Sequence, residues 1–225
     1  MRAEAHKLID ATAKDFSDCS RLGLVMPYSQ FTTIAKAKLA FNLVVQESDR
    51  FLPALPPITP SSILDGMLKD SLPIVAISGS EKARSEGIIY PVLLEVRRIL
   101  DRKISLFSGE DFTIEEAVGL NGVCDFLLTR SPEVLEIEAP AVVIVEAKKT
   151  DLKNGLGQCI AEMVAARRFN EIHEENIPII YGSVTNGVQW QFLKLETNVV
   201  TIDLNVYPLP PVEQILSFFV WMMQN

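Results

Sequence analysis

The stretch Val142-Val143-Ile144-Val145-Glu146-Ala147-Lys148-Lys149 decides how the rest of the chain is read. Val142 to Val145 and Ala147 are apolar, as a strand buried on both faces requires. The run nevertheless ends on a carboxylate and an ammonium two positions apart. Side chains alternate along a strand, so Glu146 and Lys148 share one face and Ala147 takes the other. A buried strand that delivers an acid and a base side by side calls for a chemical explanation.

Upstream of this run, Gly119 to Leu128 reads as a strand interrupted by Asp125, and Ile104-Ser105-Leu106-Phe107 as another. A loop over Thr129 to Pro140 separates Asp125's strand from the central one. Before them, Ser80 to about Arg102 is a long helix with Ile88, Ile89, Val92, Leu93, Val96, Ile99 and Leu100 at helical spacing. Pro91 either kinks that helix or marks its start near Tyr90. Glu86 lies near its N-terminal part. Downstream, Asn154-Gly155-Leu156-Gly157 precedes a helix from Gln158 to about Glu174. The glycines resemble a phosphate-cradling loop, but no P-loop lysine and serine follow them, which excludes that form of nucleotide binding. Three strands follow, Ile177 to Val184, Val188 to Leu195 and Val199 to Val206, with Asn186-Gly187 as a hairpin turn. The last helix, Val212 to Met223, is apolar on most sides. Ile215, Phe218, Phe219 and Trp221 therefore point to burial or to an oligomer contact such as a homodimer.

Residues 1–60 read as an N-terminal helical appendage, and residues 61–225 as the main domain. Ala5, Leu8, Ile9, Ala11, Thr12 and Phe16 suit one helix, and a second runs from Ser29 or Gln30 through Leu43. Pro53, Pro56, Pro57 and Pro60 punctuate the connection. Ser61 or Ser62 caps a short helix, and Leu72 to Ile77 reads as an edge strand because Pro73 suits an edge or a strand start.

Composition narrows the chemistry. Hydrophobic residues make up 48% and charged ones 22%, ordinary for a globular domain. Cys19, Cys124 and Cys159 form no CxxC pair, and His6 and His173 are the two histidines, so any metal must be held by carboxylates. Carboxylate oxygens favour Mg²⁺ or Mn²⁺. The charged N-terminus and the lack of a span-length apolar run predict a cytoplasmic protein that does not enter a membrane. A net charge of −8 argues against a general nucleic-acid coat protein, though not against a local basic groove.

Asp125 on one strand, Glu146-Ala147-Lys148 on the next and Gln158 early in the following helix together resemble the PD-(D/E)XK nuclease superfamily, also called restriction-endonuclease-like. The resemblance covers roughly residues 80–205 and, within the superfamily, is similar to a branch of bacterial proteins, many of them cyanobacterial, for which it implies no specific substrate. It implies an α/β fold with an αβββαβ core and a mixed central sheet flanked by helices. It implies that Asp125 and Glu146 bind a divalent metal with the Ala147 carbonyl, that Glu86 adds an acid from the first helix, and that Lys148 orients or activates water. Gln158 matches a polar position on the helix after the motif. The implied activity is Mg²⁺-dependent phosphodiester hydrolysis on DNA, with RNA as a second candidate substrate. The alternative is a catalytically silent nuclease fold used for binding or assembly. One feature opposes DNA: from Glu110 to Glu146 there are nine acidic residues and one basic residue, Arg130. Basic side chains flank that segment, with Lys148, Lys149, Lys153, Arg167 and Arg168 on one side and Arg84, Arg97, Arg98, Arg102 and Lys103 on the other.

Overall fold

The structure is a computed structural model that describes residues 27–78 and 80–225. The helix expected over Ala5 to Phe16 lies outside the described residues. Every residue of strand β4 (Ala141–Ala147) is buried, which a β-branched run supports only with layers on both faces. On one side β4 pairs antiparallel with β3 (Val123–Thr129), which pairs antiparallel with β2 (Ser105–Asp111). On the other side it runs parallel to β5 (Ile179–Thr185). Beyond β5 lie β6 (Gln189–Glu196), β7 (Val199–Asp203) and the edge strand β1 (Val44–Ser48), with β8 (Tyr207–Pro208) paired to one end of β6. The mixed sheet runs β1-β7-β6-β5-β4-β3-β2, with β8 off that path.

A parallel pair needs a crossover. Helix α5 (Lys153–Ile172) supplies it, and with α1 (Ile34–Ala40) covers one face through Ile144, Leu127, Ile180 and Leu193. The other face packs Phe126, Val143, Val145 and Phe192 against α2 (Ser62–Ser78), α4 (Tyr90–Ile99) and α6 (Glu213–Gln224). Between α2 and α4 the chain forms α3 (Glu81–Arg84) and a π turn, Ser85–Ile89. In this way the α5 face of β4 presents Ile144 and Glu146, and the opposite face presents Val143, Val145 and Ala147.

Several elements differ from expectation. Residues 72–77 form no edge strand; they continue α2 with Pro73 inside it. Leu64, Leu68 and Val75 recur at helical spacing and are buried. Burying each is worth roughly 1.5–3 kcal/mol, against about 3 kcal/mol for a proline inside a helix. Helix burial wins. Pro91 sits in the first turn of α4, where its missing N–H costs little, and the π turn lies directly before it. The helix expected through Leu43 is shorter: Thr33 Oγ1 caps α1 by accepting from the Lys36 N–H, and Asn42 turns the chain with φ 50°. Val44–Ser48 then joins the same sheet as strand β1.

Helix α5 begins at Lys153 rather than Gln158, so both glycines lie inside it. A Cβ on Gly157 would sit 2.3 Å from the Phe31 carbonyl oxygen, and one on Gly155 would sit 2.6 Å from Val184 Cγ1. Close approach, not a phosphate cradle, accounts for them. The α6 side chains suggested for an oligomer contact, Ile215, Phe218 and Phe219, are buried against the sheet. Among the described residues no helix is long and apolar enough to cross a membrane.

Candidate functional site

The β3–β4 register pairs Leu127 with Ile144 and Phe126 with Val145, so one further step sets Asp125 opposite Glu146. The β2–β3 ladder pairs Ser108 with Phe126 and Glu110 with Cys124 but passes over Asp125 and Gly109, whose φ is 69°. A left-handed backbone at that point suits glycine. Beside this interruption the Asp125 carboxylate serves the neighbouring strand, and its Oδ2 accepts the Ala147 N–H at 2.8 Å.

Glu146 alternates onto the α5 side and is fully buried. Its Oε1 accepts from Lys148 Nζ. Its Oε2 accepts from Gln158 Nε2 at 3.0 Å, and the same amide nitrogen donates to Glu162 Oε1 at 3.1 Å. Lys148 Nζ also lies 3.4 Å from Gln158 Oε1, a long hydrogen bond. Gly155 makes room for this ammonium's stem, since a Cβ there would meet Lys148 Cγ at 3.0 Å. Strand ends and the first turns of α5 thus hold the cluster on regular backbone.

Burial pushes the Glu146 carboxyl well above the usual carboxylate range, and the charges of Glu162 and Asp125 push it further. Burial likewise raises Glu162 to about 8, although the hydrogen bond from Gln158 opposes the rise. Asp125 is raised by burial too, partly offset by the Ala147 N–H and the Lys148 charge. For Lys148 burial alone would lower the value. The Glu146 carboxylate, with Asp125 and Glu81, outweighs it and raises the ammonium's pKa. Three acids therefore share one half-buried cation, and their negative potential reaches Cys124 and Cys159, whose thiols burial and the same carboxylates push up.

Of the residues singled out in the sequence, Asp125, Glu146, Lys148 and Gln158 come together, with Ala147 at the end of β4 donating its N–H to Asp125. Glu86 does not join them. It is exposed in the π turn, pairs with Lys82 at 2.6 Å, and lines a cavity of about 220 Å³ with Ser85, Tyr90, Ser108 and Phe126. The helix acid whose charge reaches Asp125 and Lys148 is Glu81, the first residue of α3. Sequence reasoning also missed Glu162. Its signal was present: Glu162 follows Gln158 by four residues, on the stripe carrying Cys159, Met163 and Ala166, where a charge is out of place.

Asp125 and Glu146 offer oxygen donors alone, the set that suits a hard divalent cation. Glu162 Oε2 is buried without a hydrogen-bond partner, so the cluster has more acceptor capacity than its own donors fill. Among the described residues no group of three or more His, Cys, Asp or Glu side chains is placed to hold a metal. Asp125 and Glu146 are therefore the two carboxylates that could contribute to holding a cation here. No protein-family model, no curated protein and no solved structure matches the chain.

Proposed function

We propose that the chain is a Mg²⁺- or Mn²⁺-dependent phosphodiester hydrolase of nuclease type, acting on DNA. One observation carries the reading: Asp125, Glu146, Lys148 and Gln158 converge where β3, β4 and the start of α5 meet. The order α4-β2-β3-β4-α5-β5 supports it, being the αβββαβ order of a restriction-endonuclease-like core. Asp125 and Glu146, with the Ala147 carbonyl, would hold the ion. When bound it supplies a nucleophilic water near neutral pH and offsets the phosphate's charge. Lys148 is held protonated by Glu146, so its part is to donate a hydrogen bond and stabilise developing negative charge rather than to remove a proton. Gln158 fixes the Glu146 carboxylate. Glu86 has no part in this site.

DNA must approach past an acidic chain. Lys149 and Lys153 are exposed beside Lys148, and Arg84 donates to the Asn186 carbonyl at 2.9 Å on the turn next to Thr150. Arg98, Arg167 and Arg168 are paired with Glu95, Glu171 and Glu115, which leaves them less for phosphate. A cytoplasmic location goes with this reading. A homodimer would need a surface other than the buried side of α6.

A second reading, a catalytically silent binding or assembly module, is favoured by one observation: both Glu146 oxygens are already engaged, by Lys148 and by Gln158. Calorimetric titration with Mn²⁺ separates the two. The hydrolase reading expects binding that Asp125→Ala abolishes, and cleavage of single-stranded, duplex or branched DNA that Glu146→Ala and Lys148→Ala abolish. Binding of DNA without Mn²⁺ uptake or cleavage of DNA or RNA would leave the binding module standing.

A further inference from the structure

Gln158 is polar in both directions, and its usefulness depends on which way its amide is turned. As found, it donates to Glu146 and presents its oxygen to Lys148. Turned by 180°, it would aim a carbonyl at a carboxylate and an N–H at an ammonium. The contact to Lys148 is long, so it does little to select between the two. Glu162 does more. It claims the second N–H of the same nitrogen at 3.1 Å, from one helical turn farther along α5.

Packing gives no reason for an acid at position 162. The side chain is fully buried between Cys159 and Met163 on α5, where an apolar residue of similar volume would avoid the desolvation cost. One of its oxygens has no partner at all. What its other oxygen has is the Gln158 amide, with the Glu146 carboxyl beside it. We propose that Glu162 is a positioning residue: it pins the amide of Gln158, and through it holds the Glu146 carboxylate ready for a divalent cation at the Asp125–Glu146 pair. The cation part of this rests on the reading of the site as a metal centre; the pinning part does not.

The test uses the full chain with Mn²⁺ as the probe. Glu162→Leu removes the acceptor and is expected to weaken Mn²⁺ binding about tenfold, the lower end for groups that orient metal ligands. Glu162→Gln keeps an oxygen that can accept from Gln158 and should stay within about threefold of the parent. Because Glu162 acts through Gln158, adding Glu162→Leu to Gln158→Leu should weaken binding no further than Gln158→Leu alone. Unchanged Mn²⁺ affinity in Glu162→Leu, equal loss in Glu162→Leu and Glu162→Gln, or additive losses in the double variant would each overturn the proposal. A merely structural role would lower the thermal midpoint without moving the affinity.

The side-chain amide signals of Gln158 in ¹⁵N spectra of the parent and Glu162→Gln proteins keep the test open if Glu162→Leu does not fold. Pinning predicts two slowly exchanging, downfield-shifted amide protons, whereas free-amide shifts with fast exchange would overturn it. A parent protein that takes up no Mn²⁺ brings down the metal reading, and the Gln158 amide signals then still decide the pinning.

Discussion

Metal-free protein should lose stability as pH rises through neutrality, the reverse of the usual behaviour of carboxylates in folded proteins. Glu162 supplies the magnitude. Its carboxyl moves from the ordinary 4.5 to about 8 on folding, chiefly because burial disfavours the charge. The folded state therefore keeps a proton that the unfolded chain has released. Stability falls with rising pH wherever the folded state binds more protons than the unfolded chain. The contribution is fully present below pH 4.5, declines by about 1.4 kcal/mol per pH unit above it, and is gone once the pH passes about 8. Over that window the loss amounts to about 5 kcal/mol, a large share of the 5–15 kcal/mol typical of a domain. Asp125 and Glu146 are raised as well and act with the same sign. Glu95, lowered chiefly by its hydrogen bond to Arg98, has the opposite sign but acts below the window.

Urea unfolding in chelator at intervals between pH 5 and pH 8.5 measures this directly, provided the urea dependence itself stays constant. Glu162→Gln cannot titrate, so its profile should be flatter by close to one proton. Parent stability that is level or rising across the window would refute the reasoning, and so would an unchanged slope in Glu162→Gln. Returning Mn²⁺ at pH 8, at a hundred times its Kd, should restore roughly 2.7 kcal/mol to the parent.

Lys148→Met strips the ammonium from a fully buried carboxylate and should destabilise the protein by about 3–5 kcal/mol at pH 8, and by clearly less at pH 5, in the same unfolding experiment. Gly157→Ala gains about 1 kcal/mol of helix propensity but drives a Cβ to 2.3 Å from Phe31 O and 2.6 Å from Thr33 O, backbone atoms that cannot swing aside. A net loss of about 2 kcal/mol or more is expected, with faster hydrogen exchange over residues 28–37, and a stabilised variant would contradict the close packing. Asn170 is buried and bonds both the N–H and the carbonyl of Ala141 at 2.7 Å, so Asn170→Ala orphans two backbone groups at the start of β4. A loss of about 3 kcal/mol should follow, with early exchange of the Ala141 amide.

What was legible in the sequence was whatever followed from a two-residue or 3.6-residue period inside one element. The alternation at Glu146 and Lys148 placed both on one face, and Asp125 revealed itself by interrupting an apolar run. Errors arose where the deciding partner was distant in the chain. Pro73 reads locally as a strand marker, and what makes it helical is the burial of Leu64, Leu68 and Val75 beneath the neighbouring helices. Val44–Ser48 has a weak pattern of its own because its pairing partner is Val199–Asp203. Gly155 and Gly157 look like helix breakers until Val184 and Phe31 are seen pressed against them.

The same distinction explains the candidate site. Glu86 and Glu81 are both acids in the opening turns of one helical stretch, and nothing in their local sequence says which faces the sheet. The π turn Ser85–Ile89 changes the helical phase between them and leaves Glu86 with Lys82 on the surface. Glu162 was within reach of the spacing argument, since four residues separate it from Gln158, yet an acid in a helix is ordinarily taken as solvated. Its burial makes it costly in the absence of a cation. A fold seldom carries two fully buried glutamates and a half-buried aspartate against one lysine for packing alone. The exposed acids of the 110–146 segment, which repel a phosphate in the free protein, are also what would draw in a divalent ion first. On that ordering the acidity of the 110–146 segment is compatible with the proposed metal site, where a substrate would meet the ion rather than the bare carboxylates.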